Sequence, residues 1–142
     1  MQDLNTARLL LERDALTCAL VQGDRVRTST HRGVRPLLDF LATGEDFRNF
    51  CAADKVLGKA TAFLYVLLGV RAVYARTVSR SAAAVLAHYG IALEYGTMVE
   101  AIANRDRTGF CPMESAVWNI DDPHEAPRAV LETLKRLQSG GS

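Results

Sequence analysis

Residues 52–95 read AADKVLGKATAFLYVLLGVRAVYARTVSRSAAAVLAHYGIALEY and decide the fold class. Apolar spacing, together with the positions of serine and glycine, predicts four consecutive elements. These are a long helix from Ala52 to Leu68 closed by Gly69, a strand over Arg71–Val78, a helix from Arg80 to Tyr89 with Ser79 as its N-cap, and a strand over Ile91–Tyr95. Strands that alternate with helices predict a sheet with helices packed on its faces.

The flanking sequence extends this pattern in both directions. It predicts an amphipathic helix over Leu4–Asp14, a hairpin of strands Thr17–Val21 and Arg25–Ser29, a short helix from Pro36 that Gly44 ends, a short helix over Pro112–Asn119 and a last helix ending near Leu137. Met98–Ala103 fits a helix or a strand, and the start of the last helix stays open because Pro127 would cost a hydrogen bond. We expect one α/β domain over residues 1–138, with a mixed sheet of four or five strands, and a flexible tail over residues 139–142.

Composition narrows the class of protein. The 142 residues are 49% hydrophobic and 23% charged, with a net charge of +1, which excludes a disordered chain and favours neither nucleic acid nor a membrane surface as partner. The longest apolar stretch, residues 60–70, is shorter than the roughly 20 residues of a transmembrane helix. Three widely spaced cysteines favour a reducing compartment, so we expect a cytoplasmic protein.

The predicted long helix carries the first candidate site. Asp54, Lys55, Gly58 and Lys59 share one arc of about 140° with Tyr65, and the remaining circumference is almost entirely apolar. Such a helix is buried and directs its polar N-terminal end at a cleft, where free N–H groups attract anions. Gly58 would let a ligand approach, or instead permit close helix packing. Asp54 and Lys59 are a candidate acid/base pair, the alternatives being a carboxylate favoured by the helix dipole and solvated lysines.

Two further stretches carry candidate residues. Cys111 stands at the N-cap position before Pro112, with Glu114 in the first turn, so the helix end would favour its thiolate and make it a nucleophile; the alternative is an inert capping cysteine. Arg32 and Gly33 follow the hairpin where a loop would face a ligand, and arginine suits carboxylate or phosphate groups. An exposed loop arginine is the alternative.

Metal and cofactor sites are not predicted. The three histidines are isolated, and the sequence has no Cys-x2-Cys, His-x-Glu or His-x3-His spacing. No glycine-rich phosphate loop is present either. We therefore expect no bound zinc and no cofactor.

Four blocks resemble a known family. Residues 32–39 (RGVRPLLD), 52–60 (AADKVLGKA), 89–91 (YGI) and 111–114 (CPME) resemble domain of unknown function 1893, a bacterial and archaeal family, over about residues 5–137. That family is placed with the cytidine deaminase-like proteins, which implies a three-layer α-β-α fold. Deaminases begin two helices with zinc ligands, but the starts matched here, residues 52–55 and 79–81, lack them. The resemblance therefore implies a metal-free pocket at helix N-termini.

Three functional readings follow from these residues. In the first, the chain binds a small anionic or nucleotide-like ligand through Arg32, Gly33, Lys55, Gly58, Ser79 and Glu114. In the second, it is an enzyme that uses Cys111 as nucleophile, or Asp54 with Lys59 as acid and base. In the third, it is an interaction protein with a vestigial pocket. The sequence leaves enzymatic activity undecided and a homo-oligomer open.

Overall fold

The computed structural model describes residues 2–31, 33–102 and 112–138 of the chain. Its strands are β1 (Cys18–Gln22), β2 (Arg25–Ser29), β3 (Cys51–Leu57), β4 (Ala72–Ser79) and β5 (Ala92–Val99). Its α-helices are α1 (Gln2–Arg13), α2 (Arg35–Ala42), α3 (Lys59–Leu68), α4 (Arg80–His88), α5 (Pro112–Ala116) and α6 (Ala126–Gln138), and a 3₁₀ helix over Pro123–Glu125 precedes α6.

The five strands form one open mixed sheet in the order β2-β1-β3-β4-β5. The hairpin partners β1 and β2 are antiparallel, and so are β1 and β3. The pairs β3–β4 and β4–β5 are parallel, each joined by one helix. The predicted α/β class and the mixed sheet of four or five strands are therefore confirmed.

Helices cover both faces of the sheet. On one face, α1 buries Leu4, Ala7 and Leu11 against small residues of the central strands such as Ala19 and Ala53. On the other face lies the larger core, to which α2, α3, α4 and α6 contribute. Seven of the ten residues of α3 are buried, because α3 contacts other helices on the side that faces away from the sheet. The prediction that this helix is buried over most of its circumference is correct for α3.

The predicted long helix from Ala52 to Leu68 is wrong in its first half. Cys51–Leu57 is the central strand β3, and α3 begins only at Lys59, with Gly58 as its N-cap in an extended conformation. Alanine, lysine and leucine favour helix locally, but β3 is hydrogen-bonded on both sides and its first four residues are buried. Tertiary pairing overrides the local helix propensity at this position.

Most other helix ends agree with the sequence. The Ser79 side chain accepts the hydrogen bond of Ala82 N–H at 3.2 Å and caps α4. Gly69, with φ of 80°, ends α3 in the left-handed conformation that glycine adopts freely. Asp122 caps the 3₁₀ helix rather than α6, so Pro127 falls in the first turn of α6, where its missing N–H costs nothing. Strand β5 extends to Val99, which decides the ambiguous Met98 segment in favour of a strand there.

Within the described residues, no helix combines the length and the apolar character needed to cross a membrane. Two predictions about the extent of the domain stay predictions. The predicted tail over residues 139–142 lies outside the described residues, and the single domain over residues 1–138 stays a prediction.

Candidate functional site

A cavity of about 340 Å³ lies where β1, β3 and the starts of α2 and α3 meet, with α5 closing one side. Strand β3 contributes Asp54, Lys55 and Val56 to its lining, and the N-terminal ends of α2 and α3 supply most of its remaining wall. Its lining residues are Thr17, Cys18, Gly33, Val34, Pro36, Asp54, Lys55, Val56, Gly58, Ala60, Thr61, Ile102, Met113 and Glu114. The wall is therefore largely apolar, with two carboxyl groups and one ammonium group among the described residues.

Asp54 is the best-connected polar group of this wall. Its side chain is only 5% exposed, and its Oδ2 accepts a hydrogen bond from the Tyr65 hydroxyl at 2.6 Å. Its Oδ1 accepts the backbone N–H of Val56 at 3.3 Å. The register that pairs Cys18 with Asp54 across β1 and β3 also brings the Cys18 thiol to 3.2 Å from the Tyr65 hydroxyl. Cys18, Tyr65 and Asp54 thus form one buried hydrogen-bonded chain.

Burial raises the pKa of Asp54 from 3.8 to about 7, although hydrogen bonds from Tyr65 and the backbone act in the opposite direction. Burial also raises the pKa of the Cys18 thiol, and the nearby Asp54 carboxylate raises it further. The pKa of Tyr65 is raised by the same two causes. Only Asp54 of these three groups therefore changes its protonation near neutral pH.

Tyr65 can serve both protonation states of Asp54. When Asp54 is ionised, the Tyr65 hydroxyl donates to it and can accept the weak hydrogen bond of the Cys18 thiol. When Asp54 is protonated, the carboxyl can donate to Tyr65, whose hydroxyl then points to the Cys18 sulfur. In that state the proton on Asp54 has Tyr65 as its acceptor, and the group that gives up the Tyr65 oxygen as an acceptor is the weak S–H donor of Cys18.

The N-terminus of α3 is occupied by a carboxylate of the protein itself. Glu114, which is 3% exposed, accepts the backbone N–H of Lys59 at 2.6 Å. The pKa of Glu114 is raised because the group is buried, while the backbone N–H groups of Lys59 and Ala60 counteract the shift. The predicted attraction of an anion to this helix end is thus satisfied internally by α5.

Gly58 makes this contact sterically feasible. A Cβ atom at position 58 would collide with the Glu114 carboxylate and would lie 3.3 Å from Ile102. The group that approaches Gly58 is thus a side chain of the protein, not the ligand or the packed helix considered from the sequence, and Gly58 lies at the N-cap of α3 and not inside a helix.

Lys55 and Lys59, which the sequence placed on one helix face, lie in different surroundings. Lys55 lies on β3, is exposed and belongs to the cavity lining. The Lys59 ammonium donates to the carbonyl oxygen of Trp118 at 3.1 Å and lies 5.6 Å from the ring centroid of Phe63. Lys59 is therefore not paired with Asp54 in this structure, and together with Glu114 it links α3 to the segment around α5.

Ser79 and Gly33 have different positions relative to the cavity. Gly33, with φ of 65°, belongs to the lining, just before α2. Ser79 is fully buried as the cap of α4 and is not among the lining residues. The helix starts that meet at the cavity are therefore those of α2 and α3, not the pair expected from residues 52–55 and 79–81. Arg32 and Cys111 lie outside the described residues.

The sequence did not identify Cys18 as a site residue. It did predict that Asp54 and Tyr65 lie close together, but for the wrong reason. Both were placed on one helix, whereas the structure joins them between strand β3 and helix α3. The available signal was that Tyr65 carries the only polar atom in the apolar run 62–68, and a buried tyrosine hydroxyl needs a partner. Across the described ranges, no three His, Cys, Asp or Glu side chains are grouped to hold a metal ion.

Comparison with known proteins gives two matches. The model of a family described as TM1506, Domain of unknown function (DUF1893), matches residues 6–134. The chain is also similar to the crystal structure of a DUF1893 family protein (TM1506) from Thermotoga maritima, with a TM-score of 0.85 and 24% sequence identity over 92% of this chain and 89% of that chain. At that identity, the likeness concerns the fold. No curated protein matches the chain.

Proposed function

Because the chain belongs to the DUF1893 family, whose description assigns no activity, we propose from the cavity itself that this protein binds a small nucleotide-like molecule. The observation that carries the proposal is the pair of buried carboxyl groups, Asp54 and Glu114, in one largely apolar cavity of about 340 Å³. A concave apolar site with a few fixed polar groups is the usual form of a small-molecule site.

The polar groups favour a particular orientation of the ligand. Ionised carboxylates only accept hydrogen bonds, so the part of the ligand near Asp54 and Glu114 should carry N–H donors, as an amino-substituted heterocycle does. Lys55 is the one cationic residue among the described lining residues, and it is exposed. An anionic group of the ligand is therefore best placed at Lys55, outside the cavity, and not at the N-terminus of α3, which Glu114 occupies.

Acid–base catalysis is the second candidate function, and the pKa of Asp54 favours it. A carboxyl group with a pKa of about 7 can both release and accept a proton at neutral pH. Perturbed titratable groups that line a cavity are typical of functional sites. The proposed roles of Cys111 as a nucleophile and of Lys59 as an acid/base partner add to this candidate only if ligand binding brings them to Asp54.

A thermal-shift screen followed by calorimetric titration tests the binding proposal. The probes are cytosine, adenine and guanine, with their nucleosides and nucleoside monophosphates, against the wild type, Asp54→Asn and Lys55→Met. We expect the wild type to be stabilised by at least one probe. Asp54→Asn should weaken binding of every form of that probe, and Lys55→Met should weaken only the phosphorylated form.

Asp24→Asn supplies the matched control, because Asp24 lies in the exposed turn between β1 and β2. It should bind the probe as the wild type does. Equal stabilisation of the wild type and Asp54→Asn would refute the cavity as the binding site. A wild type that no probe stabilises would favour the reading of an interaction protein with a vestigial pocket.

A further inference from the structure

Thr61, in the first turn of α3, is a buried hydroxyl residue in the wall of the cavity. The residue is only 6% exposed, and its hydroxyl makes no hydrogen bond with any residue that the structure describes. No fully enclosed side-chain oxygen or nitrogen among those residues lacks a partner, so the small exposed part of Thr61 includes its hydroxyl. The cavity is the space that this hydroxyl borders.

The other threonine of the wall, Thr17, differs because its hydroxyl is already used. It donates to the carbonyl oxygens of Ser29 at 3.0 Å and His31 at 2.5 Å. A hydroxyl has one proton to donate, and the two carboxyl groups of the wall only accept hydrogen bonds when ionised. Among the described lining residues, Thr61 therefore has the hydroxyl whose proton is free for a ligand.

Helix α3 places Thr61 on the same side of the cavity as Asp54. Thr61 precedes Tyr65 by four residues, so both side chains lie on one face of the helix. Tyr65 uses that face to reach Asp54 on β3 through the 2.6 Å hydrogen bond. Thr61 and Asp54 both line the cavity, so one ligand ring can contact the hydroxyl and the carboxyl group together.

We propose that the Thr61 hydroxyl donates a hydrogen bond to a ring nitrogen of the ligand whose amino group binds Asp54. This inference rests on the proposed binding function and specifies its ligand class: a heterocycle with an unprotonated ring nitrogen beside an amino group, as in cytosine and adenine. Such a ligand supplies the acceptor that the described residues do not give to Thr61. A buried hydroxyl without a partner is unfavourable, so the ligand is selected for carrying that acceptor.

The stability of the ligand-free protein provides the first test. Thr61→Val keeps the branched shape and removes only the hydroxyl, so we expect its melting temperature to equal or exceed that of the wild type. Thr133→Val is the matched control: Thr133 on α6 is 4% exposed, and its hydroxyl donates to the Ala129 carbonyl oxygen at 3.0 Å. This control should melt at a lower temperature. A clear decrease for Thr61→Val would mean that its hydroxyl has a structural partner, which would overturn the proposal.

Calorimetric titration with two pairs of nucleosides provides the second test. The pairs are cytidine with 3-deazacytidine and adenosine with 1-deazaadenosine, in which C–H replaces the ring nitrogen beside the amino group. For at least one pair, the wild type should bind the parent nucleoside about three- to tenfold more tightly than the deaza analogue, as one hydrogen bond allows. Thr61→Val should lose this preference by binding the parent more weakly and the analogue equally well. Thr61→Ser, which keeps a hydroxyl, should retain it.

The outcomes separate this inference from the proposed function. A parent nucleoside that binds the wild type and Thr61→Val equally, and Asp54→Asn more weakly, overturns the role of Thr61 and leaves the binding proposal intact. An analogue that binds the wild type as tightly as its parent in both pairs does the same. A wild type that binds none of the four nucleosides overturns the ligand class inferred here.

Discussion

The hydroxyl of Tyr65 donates a 2.6 Å hydrogen bond to Oδ2 of Asp54, joining the centre of helix α3 to the central strand of the sheet. This bond runs from the larger core, to which Tyr65 belongs, to Asp54 at the wall of the cavity. The protonation state of Asp54 therefore affects both the stability of the fold and the chemistry of the cavity.

The stability of the protein should depend on pH through Asp54. Its pKa is 3.8 ordinarily and about 7 in the folded chain. Between these values, the folded chain retains a proton that the unfolded chain has released, so stability falls as pH rises from about 4 to about 7. An amide at this position does not ionise. We therefore expect Asp54→Asn to become progressively more stable relative to the wild type across this window, with a constant difference above it.

Urea unfolding at successive pH values measures this difference. Asp24→Asn, in the exposed β1–β2 turn, should show a difference from the wild type that hardly changes with pH. A pH-independent difference for Asp54→Asn as well would contradict the raised pKa of the buried carboxyl group.

Removal of the Tyr65 hydroxyl should destabilise the protein. Tyr65→Phe leaves Oδ2 of Asp54 without its donor, and an unsatisfied buried polar group costs about 1–3 kcal/mol. The pKa of Asp54 should rise further, because the lost hydrogen bond favours the ionised form. Chemical denaturation followed with pH measures both effects. Tyr95→Phe, on the exposed surface of β5, should change stability by less than about 0.5 kcal/mol. An equal loss of stability in both variants would contradict the buried hydrogen bond between Tyr65 and Asp54.

Gly58 and Glu114 should be energetically coupled. Gly58→Ala should destabilise the wild type, because the added Cβ collides with the Glu114 carboxylate. In a Glu114→Ala background the same change should cost much less. A double-mutant cycle measured by denaturation should give an interaction energy of about 0.5–3 kcal/mol. Additive costs would mean that the glycine is required for another reason, such as its contact with Ile102.

Ser79 should act as a helix cap and not as a ligand-binding residue. Ser79→Ala removes the acceptor for Ala82 N–H and should cost about 0.5–2 kcal/mol of stability. The increase in melting temperature caused by a bound probe should stay as in the wild type, since Ser79 is not among the cavity-lining residues. Ser81→Ala, two residues later in the same turn, provides the comparison and should cost less. Loss of probe binding in Ser79→Ala would restore the residue to the candidate site.

Thiol labelling should distinguish the cysteines. Cys18 and Cys51 are buried, and the pKa of Cys18 is raised, so both should react slowly with an alkylating probe at neutral pH. We expect Cys111 to react faster if a helix N-terminus stabilises its thiolate. Mass spectrometry of the native protein, with Cys111→Ser to assign the fast site, measures the rates. If Cys18 reacted as quickly as Cys111, its thiol could not be buried and hydrogen-bonded to Tyr65 as the structure shows.

The sequence predicted the helix ends because short-range chemistry determines them. Pro36 lies in the first turn of α2, Ser79 caps α4 and Gly69 ends α3, each through contacts within a few residues. In contrast, residues 51–57 form a strand because β1 and β4 pair with them on either side, and no local signal reports those partners. Gly58 was the signal that a break occurs here, since glycine is also common at the N-cap.

The candidate site was predictable only in part. Asp54, Gly58 and Glu114 were singled out from the sequence, and the structure brings all three to one cavity. The chain of Cys18, Tyr65 and Asp54 could not be derived, because it depends on the register between β1 and β3 and on how α3 packs across them. Such long-range register is fixed by the whole hydrophobic pattern of the sheet, not by any one stretch.

The carboxylate of Glu114 completes the first turn of a helix that begins 55 residues earlier, at Lys59. During synthesis on the ribosome, the β3–α3–β4 unit emerges well before Glu114 does. The amino end of α3 should therefore remain frayed until the chain beyond β5 has been made, and amide hydrogen exchange at Lys59 should become slow only at that late stage. Truncation after β5 would yield a nascent chain whose α3 lacks this cap at the end that borders the cavity.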